Sequence, residues 1–192
     1  MSGRLTVRMV EKPWGVDRLP APFATRDGRR IGEIWFEPPP ELDALLVKYL
    51  FTSEKLSVQV HPDDTQALRA TGRREGKEEC WLIVGCEPSA RLGIGFETAI
   101  DSDTMRAAAQ DGSIEQRIRW FDVAPCDFSY IPANTVHAIG PGCSLIEIQQ
   151  NSDITYRLYD YGRPRALHLY AAIEVAKGEP HPGELRRRVA GK

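Results

Sequence analysis

The sequence lacks several features that mark whole classes of protein. Its 192 residues include four cysteines, and none of them forms a Cys-x-x-Cys pair. We therefore expect free thiols in a reducing compartment, and a cytoplasmic location. No run of about 18 apolar residues is present, so we predict no transmembrane helix. The first residues lack the apolar segment of a secretory signal, so none is expected.

An excess of charge of one sign is also absent. Charged residues make up 27% of the chain and hydrophobic residues 42%, with a formal net charge of −2. This balance predicts neither nucleic acid nor a membrane as a partner. The length allows one well-packed core, so we expect a single domain over residues 1–192 rather than two small ones. Prolines and an arginine cluster predict a loose, solvated tail over residues 178–192.

What the sequence does contain is a series of short apolar runs separated by Pro, Gly, Asn and Asp. This spacing predicts a mainly β sandwich or barrel. We predict strands over residues 31–36, 45–51, 56–60, 79–84, 117–122, 127–131, 143–149 and 155–159. Two other segments, 65–74 and 98–111, predict short helices, the first capped by Asp63 or Asp64 and the second ended by Gly112.

The strongest sign of a functional site lies at Gln59 and His61. They are two residues apart in a predicted strand, so both side chains point to the same face of the sheet. Pro62 ends the strand directly after them. An amide oxygen and an imidazole nitrogen are therefore presented side by side at a strand end.

Two later residues complete a candidate metal site. His137 lies in a loop after a strand, where sheet proteins often carry their sites. A glutamate opens the apolar strand at residue 79, but the residues alone do not decide between Glu78 and Glu79, because adjacent side chains face opposite ways. Two histidines, a carboxylate and an amide suit a borderline divalent metal such as zinc. His168 and His181 have no comparable neighbours, and we assign them no role.

A polar stretch follows the strand over residues 143–149. Glu147 is a carboxylate within this strand, and Arg157 lies in a later, otherwise apolar strand. A strand arginine either pairs with a carboxylate or binds an anionic substrate through its planar donors. The sequence leaves both interpretations open.

These residues resemble a known family. The chain is similar to the type I mannose-6-phosphate isomerases, in particular their short bacterial form, which are zinc enzymes of the cupin fold. The resemblance covers roughly residues 11–170. The matching segments are 12–15, 31–35, 46–50, 56–64, 76–81, 131–140 and 147–162.

The resemblance implies a fold and a set of site residues. The implied fold is a cupin-type double-stranded β-helix, a jelly-roll barrel, with one or two short helices. The family's metal ligands fall on Gln59, His61, Glu79 and His137, which favours Glu79 over Glu78 by analogy. Its active-site lysine, carboxylate and arginine fall on Lys77, Glu147 and Arg157. Asn134 and Cys126 stand where many relatives have glycine.

The implied activity is interconversion of D-mannose 6-phosphate and D-fructose 6-phosphate through a cis-enediol, with one Zn²⁺ per chain, in a monomer or homodimer. The main alternative is a metal-containing cupin that binds or senses a sugar or sugar phosphate without turnover. A third is a metal-dependent cupin oxygenase. Such sites more often use His-x-His, and Gln59 in the first position makes this alternative weaker.

Overall fold

The computed structural model describes residues 4–24 and 28–190 of the protein, which consists mainly of β-strands. In chain order the strands are β1 (Val7–Val16), β2 (Ile31–Phe36), β3 (Leu45–Phe51), β4 (Val58–Val60), β5 (Glu79–Cys86), β6 (Arg91–Phe96), β7 (Ile118–Asp122), β8 (Asp127–Ile131), β9 (His137–Ile139), β10 (Cys143–Gln150), β11 (Tyr156–Tyr159) and β12 (Arg186–Arg188). The helices are α1 (Asp64–Thr71), α2 (Ser102–Asp111), α3 (Ile114–Arg117) and α4 (Leu169–Val175). Within these ranges no helix has the length and apolar character needed to cross a membrane.

The strands form two antiparallel sheets. The larger sheet has the order β1-β2-β3-β10-β5-β8-β12, and the smaller has the order β11-β4-β9-β6-β7. Most neighbours within each sheet are distant along the chain, as β10 between β3 and β5 shows. This arrangement confirms the predicted mainly β fold.

The inner face of the larger sheet changes from apolar to polar along its central strands. In β10 the buried side chains alternate with more exposed ones, as a strand with one face toward the core requires. Leu145 lies opposite Ile83 of β5, whereas Gln149, four residues later, lies opposite Glu79. The apolar end packs into the core between the sheets, and the polar end forms a site.

Helices α2, α3 and α4 cover the outer face of the smaller sheet. Val58 and Val60 of β4 point to this face and pack with Met105 of α2 and Ile173 of α4. Consequently Gln59, which lies between the two valines in the strand, faces the opposite way, toward the larger sheet.

Both predicted helices are present. The cap at Asp63 and the end of α2 before Gly112 are as predicted, whereas α1 ends at Thr71 rather than at residue 74 and α2 begins at Ser102 rather than at residue 98. The Asp63 carboxylate caps α1 by accepting a hydrogen bond from the Gln66 backbone N–H. In turn, the Asp63 backbone N–H donates to the Gln66 side-chain oxygen. Gly112 ends α2 at a φ of 82°, a conformation that costs glycine little. The expectation of one or two helices was too low, because α3 and α4 are also present. α4 has no side-chain cap, and its stability comes from packing Ala172 and Ile173 against the sheet.

Several strands were not predicted. β1 contains Pro13, and it is an edge strand with irregular pairing, where proline is tolerated. The expected strand over 117–122 begins one residue later, because Arg117 ends α3. β6, β9 and β12 also lay outside the predicted set.

The segment from residue 178 was expected to be a loose tail, but its described part is paired with the sheet. Arg186 and Arg188 lie opposite Ser129 and Asp127 of β8, so β12 adds an edge strand to the larger sheet. His181, earlier in this segment, is buried. Backbone hydrogen bonds to β8 thus hold a segment whose composition suggested solvation. Residues 191–192 of this tail lie outside the described residues.

Two positions at which the resemblance led us to expect glycine adopt a left-handed backbone. Cys126 has a φ of 74° and Asn134 a φ of 71°. A left-handed conformation costs an L-residue roughly 1–2 kcal/mol, and asparagine tolerates it better than cysteine. A left-handed backbone is therefore a physical reason for glycine at these positions.

We predict that Cys126→Gly increases the free energy of unfolding by about 0.5–1 kcal/mol, because relief of the left-handed strain exceeds glycine's extra chain entropy. Urea unfolding with unchanged m-value would measure the gain. The matched control is Cys80→Gly within β5, which should be destabilising because its strand backbone gains nothing from glycine. A loss of stability in Cys126→Gly would contradict the strain argument.

Candidate metal centre and cavity

Register within the smaller sheet brings three predicted site residues into one row. Gln59 of β4 lies opposite His137 of β9 on one side and Arg157 of β11 on the other. Residues directly opposite each other in antiparallel strands share a face, so all three point toward the larger sheet. His61 follows Gln59 on the same face and is buried.

The larger sheet contributes the carboxylates. Glu79 opens β5 and is almost fully buried, whereas Glu78 is exposed and accepts a 2.5 Å hydrogen bond from the Tyr130 hydroxyl. The structure therefore places Glu79, and not Glu78, toward the histidines. Glu147 of β10 lies opposite Trp81, two residues after Glu79 on the same face of β5.

Backbone carbonyls set the orientation of both imidazole rings. Nδ1 of His61 lies 2.8 Å from the Ile154 carbonyl, and Nδ1 of His137 lies 2.9 Å from the Thr135 carbonyl. A carbonyl oxygen only accepts hydrogen bonds, so each Nδ1 carries the proton. Each neutral ring then presents the lone pair of its Nε2 in the other direction.

Both Nε2 atoms face the carboxylate of Glu79. The distance is 3.2 Å from His61 Nε2 to Oε1 and 3.8 Å from His137 Nε2 to Oε2. Burial, with Lys77 nearby, lowers the pKa of His61 to about 3, and burial also lowers the pKa of His137, so both rings are neutral. Three acceptors therefore converge in a buried space, an arrangement that positive charge stabilises.

The donor set fits a divalent metal. One ligand atom from each of His61, Glu79 and His137 lies within 4.8 Å of the other two. Neither oxygen of Glu79 accepts a hydrogen bond of acceptable geometry from the described residues. The Gln59 amide nitrogen lies 3.3 Å from His137 Nε2, and rotation of the amide by 180° would direct its oxygen toward the same space. Two imidazoles and a carboxylate suit zinc.

Lys77 lies between the metal cluster and the rest of the site. Its Nζ is 2.5 Å from Glu79 Oε1 and 3.4 Å from His61 Nε2. Burial opposes its charge, but Glu79 and Glu147 raise the pKa of Lys77, so the ammonium persists. Burial alone would raise the pKa of Glu79, yet Lys77 holds that pKa well below its ordinary value.

Glu147 is held in place by two donors. Lys48 Nζ lies 3.2 Å from its Oε1, and the Trp81 indole donates to its Oε2 over 3.1 Å. Burial and the nearby charge of Glu79 raise the pKa of Glu147. Such a carboxylate is a stronger base than an exposed one.

A cavity of about 250 Å³ adjoins the cluster. Its wall includes Gln59 and Lys77, which also contact the histidine and glutamate groups, and so connects the cavity with the candidate metal site. Glu147 and Arg157 lie in the same wall. Arg157 forms no ion pair with a carboxylate among the described residues, and its Nε is buried without a hydrogen-bond partner. Its positive charge is therefore available for an anion in the cavity.

The structure brings together all seven predicted residues and adds others. Lys48, Trp81, Glu33 and Arg165 also line the cavity and were not singled out. A sequence signal existed for Lys48, because it shares a strand face with Leu46 and Leu50 and so had to be a buried lysine.

Comparisons with known proteins point to one family, although no family model matches the chain. The chain is 37% identical over 161 residues to the probable mannose-6-phosphate isomerase GmuF of Bacillus subtilis, covering 77% of this chain and 51% of that protein. It is 40% identical over 137 residues to the mannose-6-phosphate isomerase of Streptococcus mutans, covering 68% of this chain and 43% of that protein. The chain thus spans about half the length, or less, of the curated relatives it matches.

Solved structures agree. The mannose 6-phosphate isomerase of Bacillus subtilis superposes with a TM-score of 0.77 at 32% identity, covering 93% of this chain and 69% of that one. A mannose 6-phosphate isomerase described as holo and zinc-bound superposes with a TM-score of 0.72 at 14% identity, covering 95% of this chain and 76% of that one, a likeness in fold alone. The similarity to the Bacillus subtilis enzyme confirms the predicted cupin fold.

We predict that Lys48→Met lowers the free energy of unfolding by about 3–5 kcal/mol near neutral pH, because it leaves the buried Glu147 carboxylate without its cation. Glu147→Gln in the Lys48→Met background should restore part of the loss. Since the pKa of Glu147 is raised in the folded protein, the folded state binds more protons, and the loss should grow as pH rises above the ordinary carboxyl range.

Urea unfolding of each variant across pH would measure these changes. Arg73→Met, which removes one member of an exposed ion pair, is the control and should change little. If Lys48→Met and Arg73→Met lowered the free energy of unfolding equally, the proposed burial penalty would be contradicted.

Proposed function

The chain belongs to the mannose-6-phosphate isomerase family, and we propose that it interconverts D-mannose 6-phosphate and D-fructose 6-phosphate with one Zn²⁺ per chain. The observation that carries this proposal is the convergence of two Nε2 lone pairs and the Glu79 carboxylate beside a polar cavity. A base and an unpaired arginine lie in that same cavity wall.

The residues proposed to hold the zinc are His61, His137 and Glu79, with Gln59 as the source of a neutral oxygen. Their donor types are those that zinc takes in proteins, and a catalytic site of this kind leaves one position open. When bound, the ion would supply Lewis-acid stabilisation of negative charge on the sugar oxygens. Backbone carbonyls orient the histidines and so prepare the site before the ion arrives.

An aldose–ketose isomerisation moves a proton between C1 and C2 through a cis-enediol. We assign this transfer to Glu147, because it lies in the cavity wall and its pKa is raised. Lys48 and Trp81 fix both of its oxygens, so the carboxylate presents a defined direction to the substrate. General acid–base help of this kind contributes about 10²–10⁴-fold.

Two cations complete the proposed machinery. Lys77 carries its charge near both Glu79 and Glu147, where it stabilises negative charge that develops on the substrate. The guanidinium of Arg157 has no carboxylate partner among the described residues, which supports binding of an anionic oxygen. That oxygen belongs either to the phosphate or to the enediolate, and both interpretations require the same free guanidinium.

A sugar-binding cupin without turnover is the competing proposal. It would retain the metal cluster and cavity, but it would need neither a carboxylate held by two donors nor an unpaired arginine beside it. A coupled assay on mannose 6-phosphate separates the two proposals. Turnover supports the isomerase, and hexose-phosphate binding without turnover supports the sensor.

We predict that chelation abolishes isomerase activity and that added zinc restores it. His61→Ala and His137→Ala should each lose bound zinc and activity together, because each removes a proposed ligand atom. Metal content after dialysis and the coupled assay measure the two effects. His168→Ala is the control and should retain its zinc. Unchanged metal content in His61→Ala or His137→Ala would remove that residue from the ligand set.

Arg157→Ala should lower kcat/KM by about 10²-fold or more while zinc content stays at the wild-type level, because the guanidinium acts on the substrate and not on the metal. The matched control is Arg119→Ala, an exposed arginine of the same sheet, with kcat/KM within about twofold of wild type. If Arg157→Ala lost its zinc instead, the assignment of Arg157 to substrate would be wrong.

A further inference from the structure

Gln149 is a buried amide that the proposed mechanism does not use. It lies on the inner face of β10, directly opposite Glu79 of β5, and only 1% of its surface is exposed. We propose that Gln149 is a positioning residue that fixes the imidazole of His61 and the ammonium of Lys48. This inference rests on the proposed metal role of His61 and names a residue that would support it.

Both N–H groups and the oxygen of the Gln149 side-chain amide have hydrogen-bond partners. Its Nε2 donates two hydrogen bonds of 2.7 Å, one to the carbonyl of Gln150 and one to that of Ser152. Its Oε1 accepts a short hydrogen bond from Lys48 Nζ. A buried amide in this position satisfies both its donors and its acceptor, which neither a carboxylate nor an apolar side chain of the same size can do.

The two hydrogen bonds donated by Gln149 hold the loop after β10 in place from its buried side. Residues 151–155 connect β10 with β11. From the other side the Ser152 hydroxyl bonds the Glu75 carbonyl, and the same hydroxyl accepts from the Ile154 N–H. Gln149 and Ser152 together fix the course of the loop up to Ile154.

This loop delivers the carbonyl that orients His61. The Ile154 carbonyl accepts from His61 Nδ1 and so keeps the Nε2 lone pair directed at Glu79. A loop without the Gln149 bonds would hold this carbonyl less firmly, and the ring would populate its other tautomer. His137 is independent of this loop, because its Nδ1 bonds the Thr135 carbonyl.

The same amide also holds Lys48. One ammonium bonds both Gln149 Oε1 and Glu147 Oε1, so the position of Lys48 beside the proposed base depends on Gln149. Gln149 therefore connects two parts of the site, the histidine ligand and the proposed base. It does so without contacting the substrate or the metal itself.

The test compares Gln149→Met with the matched control Gln150→Met, the next residue along, whose side chain points to the other face. Zinc-free protein with ¹⁵N-labelled histidine would be examined by NMR for the ring tautomers. In the wild type and in Gln150→Met, His61 should show protonated Nδ1 and unprotonated Nε2. In Gln149→Met it should show a mixture of tautomers, while His137 keeps the wild-type pattern. The zinc affinity of Gln149→Met should fall about tenfold or more, the range for outer partners of metal ligands.

Gln149→Glu tests the donated bonds alone, because it keeps an oxygen for Lys48 but loses both donors. It should alter the His61 tautomer as Gln149→Met does. An unchanged His61 pattern in either folded variant would overturn the proposal. A wild-type measurement covers the case in which neither variant folds. The side-chain amide protons of Gln149 should exchange with solvent far more slowly than those of the exposed Gln116, and equal exchange would overturn the proposal.

These readouts are distinguishable from a failure of the proposed function. An inactive wild-type protein would overturn the isomerase proposal, yet the tautomer comparison would still decide the role of Gln149. An active wild type with unchanged His61 tautomers in the variants would overturn the positioning role alone.

Discussion

The site depends on one electrostatic constraint: three hydrogen-bond acceptors face each other in a buried space. The Nε2 atoms of His61 and His137 point at the carboxylate of Glu79, and the rings stay neutral because burial opposes their protonation. Such an arrangement is unfavourable without a cation. The ammonium of Lys77 supplies positive charge on one side, and the donor set suits a divalent metal in the middle.

The two sheets supply this constraint from opposite sides. Strand β4 sets Gln59 between His137 and Arg157, while β5 and β10 set Glu79 and Glu147 on the facing sheet. Strands β5 and β10 are apolar toward one end, where they form the core, and polar toward the other. The same hydrophobic packing that holds the sheets together therefore determines how closely the histidines approach the carboxylates, and it keeps water from separating them.

Much of the site could be predicted, but for different reasons. Gln59 and His61 followed from strand periodicity, which is a local property. Glu79 was chosen over Glu78 only by resemblance. Strand periodicity says that one of two adjacent residues faces inward, but it does not say which one. Lys48 carried a readable signal, a lysine on an apolar strand face, but its partner Glu147 lies 99 residues away. α4 had no local signal, because its helix is stabilised by packing and not by caps.

The sequence by itself determined which chemical groups are present, where strands alternate, where helix α1 begins and where helix α2 ends, because capping and periodicity act over a few residues. Only the tertiary structure decided which face of each strand turned inward, that the segment at 186–188 joined the larger sheet, and that Gln149 reached both Lys48 and the loop beside His61. These outcomes depend on register between strands far apart in the chain, and register is set by the packing of the whole core and not by any short stretch of residues.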